Sequence, residues 1–179
     1  IHDYDGMTTP EPMQLHAALK RLADAQVDYL AMEASSQGMD QSRLEGLTFC
    51  AAGFTNLTQD HLDYHGDMAR YRDAKLKLFT DYLDADGTAV INADDDYAND
   101  FIAASKARGI TVITYGHKGH DLGVIERHPV ADGQVLTVDI MGRKAEVRLP
   151  LVGGFQAMNV LCALGLVIAS TQKNVDDVL

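Results

Sequence analysis

Residues 88–115 read TAVINADDDYANDFIAASKARGITVITY, and this stretch decides the fold. The apolar run 88–91 is typical of a buried strand, residues 98–107 predict a helix, and the run 110–115 predicts a second strand. The polar residues 92–96 stand between the first strand and the helix. A strand, a helix and a strand in this order predict parallel pairing in a sheet that is covered by helices.

The same alternation extends toward the N-terminus. Thr9 followed by Pro10 is typical of a helix start with Thr9 as the N-cap, and the apolar spacing predicts a helix over residues 10–25. Apolar runs at 29–32 and 49–54 predict two more buried strands, and residues 67–83 predict another helix.

Polar side chains follow the predicted strands at their carboxyl ends, namely Glu33, Ser35, Asn56, Asn92 and Asp94. Open parallel sheets bind ligands beyond the carboxyl ends of their strands. We therefore expect these side chains to share one edge, which is the predicted active site.

The pattern changes after residue 121. Alternating runs at 122–130, 135–141 and 145–149 predict an antiparallel meander, and residues 155–169 predict a last apolar helix. The fold class is therefore α/β, with a mostly parallel sheet flanked by helices and a small antiparallel sheet at about 122–151.

Composition limits the partners. The 15 Lys and Arg residues against 26 Asp and Glu residues give a net charge of −11, which argues against nucleic acid and anionic membranes as partners.

Cys50 and Cys162 lie in apolar runs and are expected to be packed free thiols, as in a reducing cytoplasm. With no apolar run of transmembrane length and no leader pattern, a cytoplasmic protein is expected.

The densest polar cluster lies in residues 54–67, FTNLTQDHLDYHGD, where two histidines and three aspartates fall within residues 60–67. Such crowding suits a divalent cation. A polar loop in which Thr58 and Asp67 cap helices is the alternative. His61 and His65 also have the spacing of a zinc pair, but no third ligand follows at a familiar distance.

Lys75 lies on the apolar face of the predicted helix 67–83, among Met68, Tyr71, Leu78, Phe79 and Tyr82. A partly desolvated lysine has a lowered pKa, and its neutral amine can react with carbon dioxide to form a carbamate, an anionic metal ligand. The alternative is an aliphatic stem that packs while the ammonium reaches solvent. Lys77 points away from this face and is expected to be solvated.

Three further groups of residues are candidates for ligand contacts, and two of these groups have a structural alternative. Glu33 after a strand is typical of a magnesium ligand beside a nucleotide, or of a helix cap. Residues 35–38 supply hydroxyls and a flexible loop, and Gln41 with Arg43 offers an amide and a forked cation to an anionic substrate. Gln156 and Asn159 form a polar stripe that faces a base or phosphate, or caps neighbouring strands.

Taken together, these motifs resemble the Mur ligases: MEASSQGMDQSR at 32–43, FTNLTQDHLDYHGD at 54–67, Ala74-Lys75, and NADD at 92–95. The DHLDYHG run resembles most closely the MurE branch, whose members add the third peptide residue to UDP-N-acetylmuramoyl-L-alanyl-D-glutamate. The resemblance implies a central, P-loop-NTPase-like domain. It also implies an ATP-dependent ligase of peptidoglycan synthesis that forms an acyl phosphate and then an amide.

The resemblance also implies roles for single residues. The positions that match the binding site of the UDP-muramoyl dipeptide are Thr8, Thr9, Ser35, Gln41 and Arg43. The positions that match magnesium ligands are Glu33, His61 and Lys75, with Lys75 carbamylated and with His61 and Lys75 as the catalytic pair. The positions near the nucleotide are Asn92, Asp94 and Asn159.

Two departures qualify the resemblance. No G-x-x-x-x-G-K-[ST] motif occurs, and Gly116-His117-Lys118-Gly119 does not qualify, so we expect the ATP-phosphate cradle to precede Ile1. The domain that selects the incoming amino acid is expected to be absent as well, so that the excerpt alone does not ligate. Gln37 and Gln156 replace residues that many relatives have, which leaves those two contacts open.

Three other functions remain open from the sequence. The first is a sister ligase, of the MurF or folylpolyglutamate synthetase type. The second is a metal-dependent phosphohydrolase built on Asp60, His61, Asp63 and His65. The third is a non-catalytic nucleotide-binding module.

Overall fold

The computed structural model describes residues 7–171 of the 179-residue chain, and these form two compact units. Residues 7–47 and 59–82 form the helical unit, and residues 48–58 and 83–171 form the sheet unit. The helices of the helical unit are α1 Pro12–Asp24, α2 Ser36–Asp40, α3 Leu62–His65, α4 Met68–Lys77 and a π-helical turn Leu78–Tyr82. The elements of the sheet unit are β1 Phe49–Phe54, β2 Leu83–Asn92, α5 Ala98–Ala107, β3 Thr111–Gly116, β4 Leu122–Val130, β5 Gly133–Ile140, β6 Arg143–Leu149 and α6 Gly154–Thr171.

The first helix begins later than its sequence predicts. Glu11, not Thr9, is the N-cap of α1, and Pro12 occupies the first turn. The hydroxyl of Thr9 is engaged elsewhere: it donates to the carbonyl of Glu33 at 3.3 Å and accepts from the amide of Ser35 at 2.9 Å. Thr9 is therefore a buried tether between two chain segments and not a helix cap.

The predicted strand at residues 29–32 is wrong. Residues 27–35 contain no helix or strand, and the side chains of Tyr29 and Leu30 are 64% and 52% exposed. A strand needs a hydrogen-bonded neighbour, and no strand in the described part of the chain pairs with this segment. Residues 35–38 are not a flexible loop either, because Ser35 caps α2 by accepting from the amide of Gly38 at 3.1 Å.

The predicted helix 67–83 is confirmed as α4 and the π-helical turn. The carboxylate of Asp67 accepts from the amide of Arg70 at 2.8 Å, so the capping role proposed for Asp67 is also confirmed. Thr58 does not share that role, since the N-cap of α3 is His61, whose side chain makes no capping hydrogen bond.

The sheet confirms the fold class. Six strands lie in chain order, with parallel pairing from β1 to β4 and antiparallel pairing from β4 to β6. The antiparallel meander is not a separate sheet. It continues the parallel strands because β3 and β4 pair at Tyr115 with Leu122 and at Gly116 with Gly123.

Helices cover both faces of the parallel strands. Phe54 stacks on Phe101 of α5 at 3.8 Å between ring centroids, whereas the preceding residue, Gly53, lies against Cys162 of α6. Because consecutive strand residues point to opposite faces, the two helices lie on opposite sides of the sheet. The approach of α6 is close enough that a Cβ at Gly165 would lie 2.6 Å from the side chain of Val90.

The two cysteines differ. Cys162 is buried on the inner side of α6, as predicted, but Cys50 is exposed, so the prediction of a packed thiol is wrong there. Cys50 lies on β1, which among residues 7–171 is an edge strand with a neighbour on one side only. By length and composition α6 is apolar enough to cross a membrane, contrary to the sequence-based expectation, although its inner residues pack against the sheet.

Candidate active site

Four of the five residues predicted to bind the dipeptide form one hydrogen-bonded group in the helical unit. Thr9 accepts from the amide of Ser35, and its carbonyl accepts from Nη1 of Arg43 at 2.9 Å. The guanidinium of Arg43 also donates to Oε1 of Gln41, at 2.6 and 3.0 Å. Thr8 is exposed beside this group.

The side chain of Arg43 is largely enclosed by the protein and is not fully exposed to an anionic substrate. Its side chain is 14% exposed and lies 3.3 Å from the carboxylate of Glu11. Gln41 is exposed, and its amide nitrogen donates to the hydroxyl of Tyr64 at 3.1 Å. In this arrangement Arg43 orients Gln41, and the amide of Gln41 is the group that faces solvent.

The two histidines of the 60–67 segment have different surroundings. His61 has a left-handed backbone with φ of 53°, and its side chain is 51% exposed. His65 is buried and its Nε2 lies 2.9 Å from Oγ of Ser36. Burial lowers the pKa of His65, while the nearby carboxylate of Asp40 opposes that shift.

Among residues 7–171, no three His, Cys, Asp or Glu side chains gather into a metal site. The zinc pair and the phosphohydrolase alternative therefore lack a complete set of such ligands in this arrangement. A metal site in the helical unit needs a ligand of another kind, which a carbamylated lysine would supply.

Tyr71 connects the two residues of the predicted catalytic pair. Its buried ring stacks on His65 with centroids 5.0 Å apart and meets His61 edge-on at 5.9 Å. Nζ of Lys75 lies over the same ring, 5.3 Å from its centroid. Lys75 is half-buried, as its position on the apolar face predicts. Burial, and next the charge of Asp60, raises the pKa of Tyr71, so its phenol stays neutral.

The three predicted magnesium ligands fit the ion on one condition. Magnesium prefers oxygen ligands. Exposed Glu33 offers carboxylate oxygens, whereas exposed His61 offers an imidazole nitrogen. Lys75 as an ammonium has no lone pair to give, but a carbamate on Nζ would present two oxygens. The fit therefore requires the modification, and the half-buried position of Lys75 over the ring of Tyr71 suits it.

In the sheet unit, the NADD motif joins the loops at the carboxyl edge. The amide nitrogen of Asn92 donates to the carbonyl of Thr55 at 2.7 Å, and its oxygen accepts from the amide of Asp94 at 3.0 Å. Asp95 accepts from the amides of Leu57 and Tyr97, both at 2.9 Å. The expected common edge is confirmed for the residues that follow β1 and β2.

Asp94 holds the loop that follows β3. Its two carboxylate oxygens accept from the amides of His117 and Lys118, each at 2.8 Å. Gly116, with φ of +115°, is required here because a Cβ would lie 2.6 Å from Oδ2 of Asp94. Asp94 is thus engaged with the backbone, and the exposed side chains near it are those of His117 and Lys118.

Asn159 makes a hydrogen bond within α6 and not with the NADD motif. It is exposed on α6, and its amide donates to Gln156 at 3.3 Å, so these two amides do not cap neighbouring strands. Gln134 is buried and bonds to the segment that precedes α6. Its amide nitrogen donates to the carbonyls of Leu151 and Gly153 at 2.8 and 3.0 Å.

A surface cleft of about 400 Å³ in the helical unit is lined by His65 but by none of the residues predicted for the ligase site. Its walls include Asp40 and Lys77, whose side chains pair at 2.9 Å, and this bond lowers the pKa of Asp40. Lys77 is therefore a half-buried ion-pair partner and not a freely solvated charge. The cleft is an ordinary polar groove beside α4.

Three features were missed from the sequence. The buried bond of His65 to Ser36 and the loop of Gly116 depend on contacts between distant residues. The ring of Tyr71 as a common neighbour depends on how the short helix α3 packs against α4. One signal was present for Tyr71, which precedes Lys75 by one helical turn.

Comparisons with known proteins show the family of this chain. The family model of the Mur ligase middle domain matches residues 1–167. The UDP-N-acetylmuramoyl-L-alanyl-D-glutamate–2,6-diaminopimelate ligase of Caulobacter vibrioides is 48% identical over 169 residues, 94% of this chain and 35% of that protein. Its counterpart from Zymomonas mobilis is 44% identical over 165 residues, 92% of this chain and 34% of that protein.

A solved structure of a ligase with the same name superposes with a TM-score of 0.81 at 32% identity, covering 92% of this chain and 34% of the other. The MurF ligase of Thermotoga maritima in complex with ADP shares the fold at a TM-score of 0.61 and 15% identity, over 83% of this chain and 35% of the other. The chain spans about a third of the length of the curated relatives it matches. On the strength of the family match, which extends over most of its residues, the chain belongs to the Mur ligase middle domain family.

Proposed function

We propose that this chain is the middle domain of an ATP-dependent ligase that adds 2,6-diaminopimelate to UDP-N-acetylmuramoyl-L-alanyl-D-glutamate in the cytoplasm. The observation that carries the proposal is the 48% identity over 94% of the chain to a relative with that name. The sequence alone left the incoming amino acid open, and the names of the relatives now favour diaminopimelate.

The reaction has two steps. A carboxylate oxygen of the substrate attacks the γ-phosphorus of ATP, the bond to the β-phosphate oxygen breaks, and ADP leaves with the bonding electrons. The amine then attacks the carbonyl carbon of the acyl phosphate, an amide bond forms, inorganic phosphate leaves and the amine gives up a proton. No protein nucleophile takes part, so the protein contributes positioning and neutralisation of charge.

Residues of the helical unit are proposed to serve the carboxylate and the metal. Glu33, His61 and carbamylated Lys75 would hold magnesium, which when bound screens the negative charges of phosphate and carboxylate from each other. Thr8 and Gln41 are open to the dipeptide, while Thr9, Ser35 and Arg43 hold the shape of that surface through their mutual hydrogen bonds.

Residues of the sheet unit are proposed to serve the nucleotide. Asn92 and Asp94 act by holding the loops at the carboxyl edge, and exposed Asn159 is available for direct contact. We also propose that the triphosphate cradle and the amine pocket belong to segments outside these 179 residues. The greater length of the relatives supports this division.

The test is a ligation assay with the full-length protein that contains this chain. We expect a product that requires ATP, magnesium, the UDP-muramoyl dipeptide and diaminopimelate together. Absence of turnover with diaminopimelate and with lysine would refute the proposal, and turnover on a folate in place of the dipeptide would assign the chain to a sister ligase.

A further inference from the structure

We infer that Tyr71 is a positioning residue that sets the geometry of His61 and Lys75 for a shared magnesium ion. The inference rests on the proposed function, since it takes these two residues as metal ligands. Its basis is the contact geometry of one ring: the edge-on contact with His61 at 5.9 Å and the position of Lys75 Nζ 5.3 Å from the centroid.

The ring of Tyr71 is itself held in place. It is only 6% exposed and stacks on His65 with an interplanar angle of 20°. His65 in turn is bonded to Ser36 at 2.9 Å, and Ser36 is the first residue of α2. A continuous set of contacts therefore runs from α2 through His65 and Tyr71 to His61 and Lys75.

This set of contacts begins next to the residues predicted to bind the dipeptide. Ser35, the N-cap of α2, is bonded to Thr9, and both residues belong to that surface. A displacement of α2 would move the ring of Tyr71 through Ser36 and His65. Tyr71 thus links the surface proposed for the dipeptide to the ligands proposed for the metal.

The ring has two opposite effects on Lys75, and their sizes decide the expected outcome. The carbamate forms when the neutral amine attacks carbon dioxide, the N–C bond closes and one proton leaves to water. The face of the ring attracts the ammonium, which opposes this step by about two- to five-fold in equilibrium. Loss of a group that orients metal ligands typically costs about 10- to 100-fold in metal affinity, so orientation is the larger effect.

The experiment is a magnesium chloride titration of the full-length protein in ¹³C-labelled bicarbonate, with the carbamate carbon followed by NMR and ligation followed in parallel. In Tyr71→Leu we expect the magnesium concentration at the midpoint to rise about 10- to 100-fold. Tyr71→Phe keeps the ring and should titrate like the parent. Tyr71→Met, which is apolar and adaptable, replaces Tyr71→Leu if the latter does not fold.

Tyr82→Leu is the matched control, because Tyr82 lies in the same unit and is only 7% exposed. This substitution removes a ring of the same size. It should lower stability and leave the magnesium midpoint unchanged. An unchanged midpoint in the folded ringless variant, or an equal shift in Tyr82→Leu, would overturn the role of Tyr71. Failure of the proposed function looks different, since the parent itself would then show neither ligation nor a magnesium-dependent carbamate.

Discussion

The helical unit and the sheet unit use polar residues in different ways. In the sheet unit, Asn92, Asp94 and Asp95 direct their side-chain oxygens and amide at backbone groups of neighbouring loops. In the helical unit, His61 and Lys75 keep their reactive atoms near an aromatic ring and partly open to solvent. Polar residues of the first kind fix backbone shape, and those of the second kind are the ones we propose as metal ligands.

This contrast predicts two kinds of loss on substitution. Removing a side chain that holds a loop should cost stability and raise local mobility. Removing a side chain that is proposed to bind the metal should cost turnover at nearly unchanged stability. The following changes test that division.

Lys75→Ala should have the largest effect. It removes the group proposed to carry the carbamate, and we expect ligation by the full-length protein to fall about 100- to 1000-fold, as when one charge-stabilising group is lost from an active site. The measurement is kcat at saturating magnesium, together with the free energy of unfolding, which should change little.

Lys77→Ala is its control, because Lys77 lies on the same helix and pairs with Asp40. We expect ligation within a few-fold of the parent. If Lys75→Ala keeps full activity, or if both variants lose activity equally, Lys75 has no special place in the site.

Asp94→Ala should have the next largest effect, which is a loss of stability and not mainly a loss of turnover. The amides of His117 and Lys118 lose their acceptors, so the free energy of unfolding should drop by about 1–3 kcal/mol. Hydrogen exchange at these two amides should quicken, and KM for ATP should rise. Asp96→Ala, at an exposed neighbouring position, should leave exchange in that loop unchanged. Equal exchange in both variants would contradict the role of Asp94.

His65→Gln should have the smallest effect, and it is visible only in acid. Because burial lowers the pKa of His65 in the folded state, the unfolded chain binds more protons below pH about 6.5. The parent should therefore lose stability as pH falls from about 6.5 through the folded-state pKa. The glutamine variant keeps a hydrogen-bonding side chain toward Ser36 and should lose less over this range, as measured by urea unfolding at several pH values. Identical pH profiles would show that His65 does not titrate as burial predicts.

Much of the sheet unit follows from local sequence. The helix at 98–107 and the alternating strands are encoded by the spacing of their apolar residues, which repeats over short distances. The failure at residues 29–32 has a physical cause, since an apolar run becomes a strand only beside a partner. The error at Cys50 is of the same kind, because edge position depends on strand order and not on the run itself.

The candidate site divides in the same way. Lys75 on an apolar face and Asp67 as a cap are local features, and both were predicted. The bond of Thr9 to Ser35 spans 26 positions and that of His65 to Ser36 spans 29, so no local pattern contains them. The family resemblance implies which residues belong together, and the structure adds the contacts that Tyr71 and Asp94 make.

We propose above all that the helical unit holds magnesium through a carbamate on Lys75. The most direct test is ¹³C NMR of the full-length protein in labelled bicarbonate and magnesium chloride. We expect a carbamate carbon resonance in the parent and in Lys77→Ala, and none in Lys75→Ala. A parent without the resonance, or a Lys75→Ala variant that retains it, would contradict the claim.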